Sequence, residues 1–367
     1  MSDLQNALTI VIPTRNRSEL CGSLVRFLRK CGLSCPILVT DSSDPDHARK
    51  NQEACHATAS DYHHYGPDVA FYDKLIDSLN RVKSPFVVLL PDDDIPLPHA
   101  LEECATFLSG HDDYAAAWGY VADYALHEGQ LDIFRVHWFT PSIDDATAFE
   151  RVYHLVRRYQ PFFWAVFRAE ALAQSLNEAR DAGRVVFQEL TMTLTAAMQG
   201  KIARLPVIYS LRGAEPSSYD RAKVEPLFGF IDDAASFIGE YAGYRDRMAS
   251  FARRHLGDGA ESQLCNCTIE QFLDLVHGIG LARELDPGPL NYTVQRALGA
   301  PLPQIPVQQD WPGWRDPSGG DAVHASAIAG RRYIWRQDVL EAEPRSEIMI
   351  SHDEIARVER QIENYVI

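Results

Sequence analysis

The sequence has no long apolar run. Its continuous apolar stretches, such as Phe86 to Leu90, are strand length and far short of the roughly 20 residues a bilayer span needs. The opening Met1-Ser2-Asp3-Leu4-Gln5-Asn6 lacks both a basic region and an apolar core, so no secretory leader is expected. Cysteine is sparse, seven in 367 residues, an odd number without the paired spacing of a secreted disulfide framework. Cys265-Asn266-Cys267 and Cys31 with Cys35 are the only close pairs. Neither has a second pair or histidines at zinc spacing, so free thiols are expected. An excess of positive charge is also missing: Lys+Arg number 35 against Asp+Glu 51, a formal net charge of −16. That balance argues against nucleic acid as a partner, because such binders carry a basic face for phosphates. It leaves room for a nucleotide-sized ligand, whose phosphates a metal and a few local donors can meet. No internal repeat or low-complexity tract is present. The expected compartment is the cytoplasm, and peripheral membrane association is compatible with it.

What remains is an ordinary globular composition, 46% hydrophobic and 23% charged, with length enough for two domains. Apolar runs alternate with helical patterns over the first 215 residues, the signature of layered α/β structure. Leu8 to Ile12 reads as a strand stopped by Pro13, and Leu20, Leu24, Phe27, Leu28 and Cys31 give the next segment helical spacing up to Gly32. Pro36 to Thr40 reads as a second strand, Ala70 to Val82 as a helix, and Phe86 to Leu90 as a strand covered on both faces. Further on, a helix is expected from Pro98 to Leu108, strands from Tyr114 to Phe139, and a helix from Asp144 to Arg158. A strand at Phe162 to Phe167, a helix at Phe187 to Gly200 and a strand over Ile202 to Leu211, interrupted at Pro206, complete this part. Beyond Ser217 the pattern turns helical: Leu227 to Tyr241, Arg245 to Leu256, Glu261 to Leu281 and a charged terminal helix, Ser351 to Tyr365. A Pro/Gly-rich arm with Trp311 and Trp314 lies between the last two.

The strongest chemical signal is Asp92-Asp93-Asp94, directly after the strand ending at Leu90. Ligands in open α/β sheets sit beyond the carboxyl ends of strands. Three adjacent carboxylates repel, a cost that a divalent cation with oxygen preference removes. The plainer alternative is a solvated acidic turn capping the helix near Pro98. A second signal is Pro13-Thr14-Arg15-Asn16-Arg17 after the first strand, where Thr14 and backbone N–H groups can meet a base or ribose and Arg15 a phosphate. Arg17 reads as part of an exposed polar loop. Asp41 closes the second strand on the same edge, as a turn residue or as an acceptor for a base or ribose.

Together, Val11 to Arg17, Val39-Thr40-Asp41 and Leu89 to Asp94 resemble a GT-A glycosyltransferase of the large family 2 type. The resemblance continues at Phe187-Gln188-Glu189-Leu190, followed by Ala197 to Pro206, which match the acidic-pair helix, glycine and strand of that family. It covers about 215 of 367 residues. It implies a Rossmann-like, mostly parallel central sheet flanked by helices over residues 1–215, the nucleotide-sugar-binding and catalytic domain. A mainly helical region over 216–367 would serve the acceptor side or oligomerisation. The implied reaction moves a sugar from a UDP- or GDP-type donor to a hydroxyl of a glycan, lipid-linked or protein acceptor, with Mn2+ or Mg2+ as cofactor. Pro13, Thr14 and Arg15 match the nucleotide loop, and Asp41 the residue that contacts the base. Asp92 and Asp94 fit the DxD spacing as metal ligands, and a register with Pro91 on the first Asp of the motif gives Asp93 instead.

Glu189 falls on the catalytic-base position, although Gln188-Glu189 stands where Glu-Asp is commoner. A base opposite the leaving group implies inversion at the anomeric carbon. The histidine that often follows the last strand is absent: Arg212-Gly213-Ala214-Glu215 stands there, with Arg212 or Glu215 available to diphosphate, metal or the acceptor side. Lys74 is a further candidate for diphosphate, against a solvated helix-face lysine, and Trp164 for acceptor stacking, against a core aromatic. A sugar nucleotidyltransferase would normally carry a Gly-rich loop after the first strand, which is missing. An inactive nucleotide-sugar-binding scaffold on the same fold is the non-enzymatic alternative.

Overall fold

The computed structural model describes residues 7–127, 130–137, 141–157, 161–213, 233–266, 333–335, 352–363 and 365. Four parallel strands, β1 (Leu8–Thr14), β2 (Ile37–Asp41), β3 (Asp61–His64) and β4 (Phe86–Leu89), lie side by side in the order β4-β1-β2-β3. The sheet continues through β5 (Asp94–Pro96), β6 (Tyr114–His127), β7 (Gln130–His137), β8 (Val166–Arg168), β9 (Lys201–Gly213) and β10 (Tyr333–Trp335). Its path is β10-β7-β6-β8-β4-β1-β2-β3, with β9 pairing β5 and β6 off that line. Five of the nine pairings among the described residues are parallel and four antiparallel. The α/β class is therefore as expected.

The helices are α1 (Ser18–Lys30), α2 (Pro45–Ala57), α3 (Phe71–Leu79), α4 (Pro98–Gly110), α5 (Ala148–Arg157), α6 (Ala169–Ala179), α7 (Val185–Gln199), α8 (Ala234–Leu256) and α9 (His352–Ile362). Of the stripe expected in the first helix, Leu24, Phe27 and Leu28 are buried together with Val25, whereas Leu20 at its start is exposed and Cys31 only partly covered. Each such buried side chain contributes about 1.5–3 kcal/mol by leaving water. One hydrophobic cluster joins the sheet to Phe237, Tyr244 and Met248 of α8 and to Ile355, Val358 and Ile362 of α9.

Several boundaries differ from the sequence reading for local reasons. Pro13 does not stop β1, which continues to Thr14. The last β4 bond on that side is Leu90 N–H to the Val11 carbonyl, so Pro13 lies beyond it and no ladder donor is lost. Two helices were expected over 227–241 and 245–256. Residues 234–256 form a single helix because buried Phe237, Tyr244, Met248 and Phe251 keep helical spacing across the junction. The strand expected from Phe162 shrinks to Val166–Arg168, since Ala165 N–H turns back to the Phe162 carbonyl. Pro206 does not interrupt β9; register shifts against β6 between Trp118 and Val121 absorb it. Glu215, Trp311, Trp314, residues 227–232 and residues 267–281 of the helix expected over 261–281 lie outside the described residues.

Candidate active site

The carboxyl ends of β1, β2 and β4 meet at one edge of the sheet. Thr14 and Asp41 are register partners across β1 and β2. Across β1 and β4, the Thr14 hydroxyl donates to Asp92 Oδ2 at 2.7 Å. Asp92 is buried, and burial raises its carboxyl above the ordinary carboxylate range, opposed by the Thr14 hydroxyl and Arg17. Arg17 Nη1 donates to Asp92 Oδ1 at 3.0 Å and to Asp93 Oδ2 at 2.7 Å. Asn16, with φ +57°, occupies the left-handed region that asparagine tolerates and turns the chain there. It is fixed by its N–H to Ser43 Oγ and by paired bonds to Asp44.

Asp94 enters β5 and pairs in register with Arg212 of β9, whose other neighbour in register is the buried Asp123 of β6. Its carboxyl makes no hydrogen bond or ion pair among the described residues. It is pushed up to about 7, first by burial and then by Asp93, with Arg212 opposing and Asp123 and Asp92 adding to the rise. A small cavity beside it is lined by Trp118, Trp164 and Tyr209, and the Tyr209 hydroxyl donates to the Trp164 carbonyl at 2.8 Å. Among the described residues, no three His, Cys, Asp or Glu side chains form a ready cage for a metal. A half-buried carboxylate without a partner among the described residues nevertheless suits Mg2+ or Mn2+, which keep waters and use one or two carboxylates plus substrate phosphates.

The other candidates divide by surroundings. Asp41 is inaccessible: its Oδ1 accepts from Ser43 N–H at 2.7 Å, and its Oδ2 from Asn51 and Tyr62, both at 2.9 Å. These bonds tie the β2 end to α2 and β3. Lys74 is buried rather than solvated, its Nζ donating to the Thr14 carbonyl and Ser42 Oγ, both at 3.1 Å. Burial lowers its pKa against the raising pull of Asp41 and Asp92. Arg15 is exposed and makes no ion pair among the described residues. Pro13 is buried within β1. Glu189 lies in the first turns of α7 and is half-buried. Burial raises the Tyr72 phenol, and the Glu189 charge adds to the rise, which places that carboxylate near α3. Phe163, the neighbour of Trp164, packs edge-on against Tyr72 with ring centroids 6.3 Å apart.

Arg17, Asp123 and the terminal helix were missed as parts of this region. Buried Glu354 of α9 accepts from Ile208 N–H at 2.8 Å and lies 2.9 Å from His99 Nε2. The buried Tyr365 phenol, raised chiefly by burial, also feels Asp94 and Asp93. A larger concavity lined by Thr9, Pro36, Asp61 and Lys83 opens at the opposite, amino ends of the strands, away from these groups.

No protein-family model matches the chain, and no curated protein does. Among solved structures it is similar to S. aureus TarS 1–349 in complex with UDP-GlcNAc, at 14% identity over 74% of this chain and 81% of that one, with TM-score 0.44. It is similar to glucosyl-3-phosphoglycerate synthase from Mycobacterium tuberculosis in complex with Mn2+, UDP and glucosyl-3-phosphoglycerate. There the identity is 12% over 71% of this chain and 83% of that one, with TM-score 0.38. Against a longer S. aureus TarS the identity is 14% over 69% of this chain, with TM-score 0.39, and the match spans only 44% of that chain. Among the described residues, no helix is long and apolar enough to cross a membrane.

Proposed function

We propose that the chain is a glycosyltransferase that moves a sugar from a nucleoside-diphosphate donor to an acceptor hydroxyl, with inversion. The observation that carries the reading is the half-buried Asp94 carboxylate, without a hydrogen bond or ion pair among the described residues, beside Asp92 and Asp93 at the strand end where the Thr14 hydroxyl is bound. Asp94, with Asp92 or Asp93, would hold Mn2+ or Mg2+, which when bound supplies positive charge for the departing diphosphate. Thr14 orients Asp92 and borders the nucleotide. Arg15, exposed and uncommitted, is available to phosphate oxygens. Lys74 holds the β1 and β2 ends together beneath them and adds a buried positive charge. Asp41 serves from within, fixing the β2 loop.

Glu189 takes the acceptor proton as the hydroxyl attacks, help that is typically worth about 10²–10⁴-fold. The acceptor enters on the Trp164 side, where aromatic faces line the cavity next to Asp94. A thermal-shift panel tests the reading: UDP, GDP and their sugars, each with and without Mn2+. One nucleotide family should raise the melting temperature in a Mn2+-dependent way, by roughly 2.7 kcal/mol of added stability at a hundredfold excess over Kd. No shift with any of them overturns it.

A further inference from the structure

Arg17 has no part in the chemistry proposed above, yet it is built into the acidic turn. Its side chain is 46% exposed, while one guanidinium nitrogen bridges two carboxylates, Asp92 Oδ1 at 3.0 Å and Asp93 Oδ2 at 2.7 Å. The bridge is not the chance contact of a long side chain. The preceding Asn16 holds a left-handed backbone conformation fixed by Ser43 and Asp44, so the loop delivers Arg17 to this place. Thr14 takes the remaining oxygen of Asp92. Of the three aspartates, only Asp94 has neither a hydrogen bond nor an ion pair among the described residues. One cation from its own chain thus already sits on two of the three carboxylates of the acidic turn.

We infer that Arg17 is a resident counter-cation of the acidic turn, competing with a divalent cation for Asp92 and Asp93 and releasing them when a nucleoside diphosphate binds. The inference rests on the functional reading above. A divalent ion approaching Asp94 in the nucleotide-free protein meets a guanidinium already on the two neighbouring carboxylates, and like charges repel. A diphosphate changes that balance. Its oxygens give the planar guanidinium a better bidentate partner and supply the ion with the ligands the protein lacks. Metal and nucleotide therefore bind as a coupled pair, each raising the affinity of the other by the same factor, as linkage requires.

The test is calorimetric titration of the full chain with MnCl2, alone and in the presence of UDP or GDP, for the wild type, Arg17→Gln and Arg17→Lys. Arg17→Gln should bind Mn2+ alone about tenfold more tightly, a 1.4 kcal/mol difference. The mutual enhancement of Mn2+ and nucleotide should shrink by a similar factor. Arg17→Lys, which keeps the charge without the planar fork, should fall between the two and guards against a fold defect in the glutamine variant. A merely structural arginine would give weaker Mn2+ binding on removal, never stronger. Unchanged Mn2+ affinity and coupling in both variants overturns the inference and leaves the metal site standing. Nucleotide binding that ignores Mn2+ in all three proteins overturns it together with the metal, and leaves the nucleotide site.

Discussion

Glu354→Ala is the change that most directly probes how the terminal helix is joined to the sheet. Glu354 is buried, and one of its oxygens accepts from Ile208 N–H at 2.8 Å while lying 2.9 Å from His99 Nε2. Ile208 sits where the β6–β9 register slips on both sides, so its N–H takes its acceptor from α9. Truncation leaves that buried donor unsatisfied, at a cost of about 1–3 kcal/mol. It also takes from His99 its buried hydrogen-bond partner, a second loss of similar size. The two share one carboxylate and do not simply add, so about 2–4 kcal/mol is expected in total. With an unfolding entropy of about 2.1 cal/mol/K per residue over 367 residues, each kcal/mol moves the melting temperature by about 1.3 °C, so a fall of roughly 3–5 °C is expected. Glu354→Gln keeps an acceptor for Ile208 and should lose only about 1 kcal/mol. Urea unfolding gives the energies, and hydrogen exchange at the Ile208 amide gives the location. An alanine variant within about 0.5 kcal/mol of wild type, the range of an ordinary surface change, with Ile208 still protected, would refute the docking of α9.

Three further outcomes follow from the site. Asp41→Ala strands the Ser43 N–H, Asn51 and Tyr62 donors and should cost about 3–5 kcal/mol in thermal unfolding, whereas a loss below about 1 kcal/mol would mean that these bonds hold nothing. Lys74→Met removes the buried amine bonded to the Thr14 carbonyl and should weaken nucleoside-diphosphate binding about tenfold by calorimetry. Unchanged affinity would deny it any electrostatic role. Glu189→Gln should slow sugar transfer by about 10²–10⁴-fold while leaving UDP and Mn2+ binding intact, and undiminished transfer would remove Glu189 from the base role.

Much of the fold was legible because its central elements bury apolar stripes. β1, β2, β4, α1, α4 and α7 announce themselves by runs and by helical spacing. The elements that stayed hidden have little to bury. In α2, Asn51 and Cys55 are the buried residues, and β3 is an edge strand, Asp-Tyr-His-His, without a covered residue. β5 is three residues long and owes its existence to β9, more than a hundred positions away. At the site, the sequence could name the aspartates but not their partners. Thr14 meets Asp92 across 78 residues and Arg17 meets Asp93 across 76, distances over which spacing carries no information. The same holds for Glu354 and Ile208, separated by 146 residues. Local composition made Arg17 read as a solvated loop residue and Lys74 as a helix-face one, because neither motif reveals which carboxylates or carbonyls the topology brings beneath it.

Asp94 is proposed as an acidic ligand of a cation–nucleotide site. Titrating UDP and GDP, each with MnCl2, into the wild type and Asp94→Asn tests it most directly. Mn2+-dependent nucleotide binding that is lost in Asp94→Asn, in a protein whose melting temperature is unchanged or raised, is the predicted result. Equal Mn2+-dependent affinity in both proteins would contradict the account.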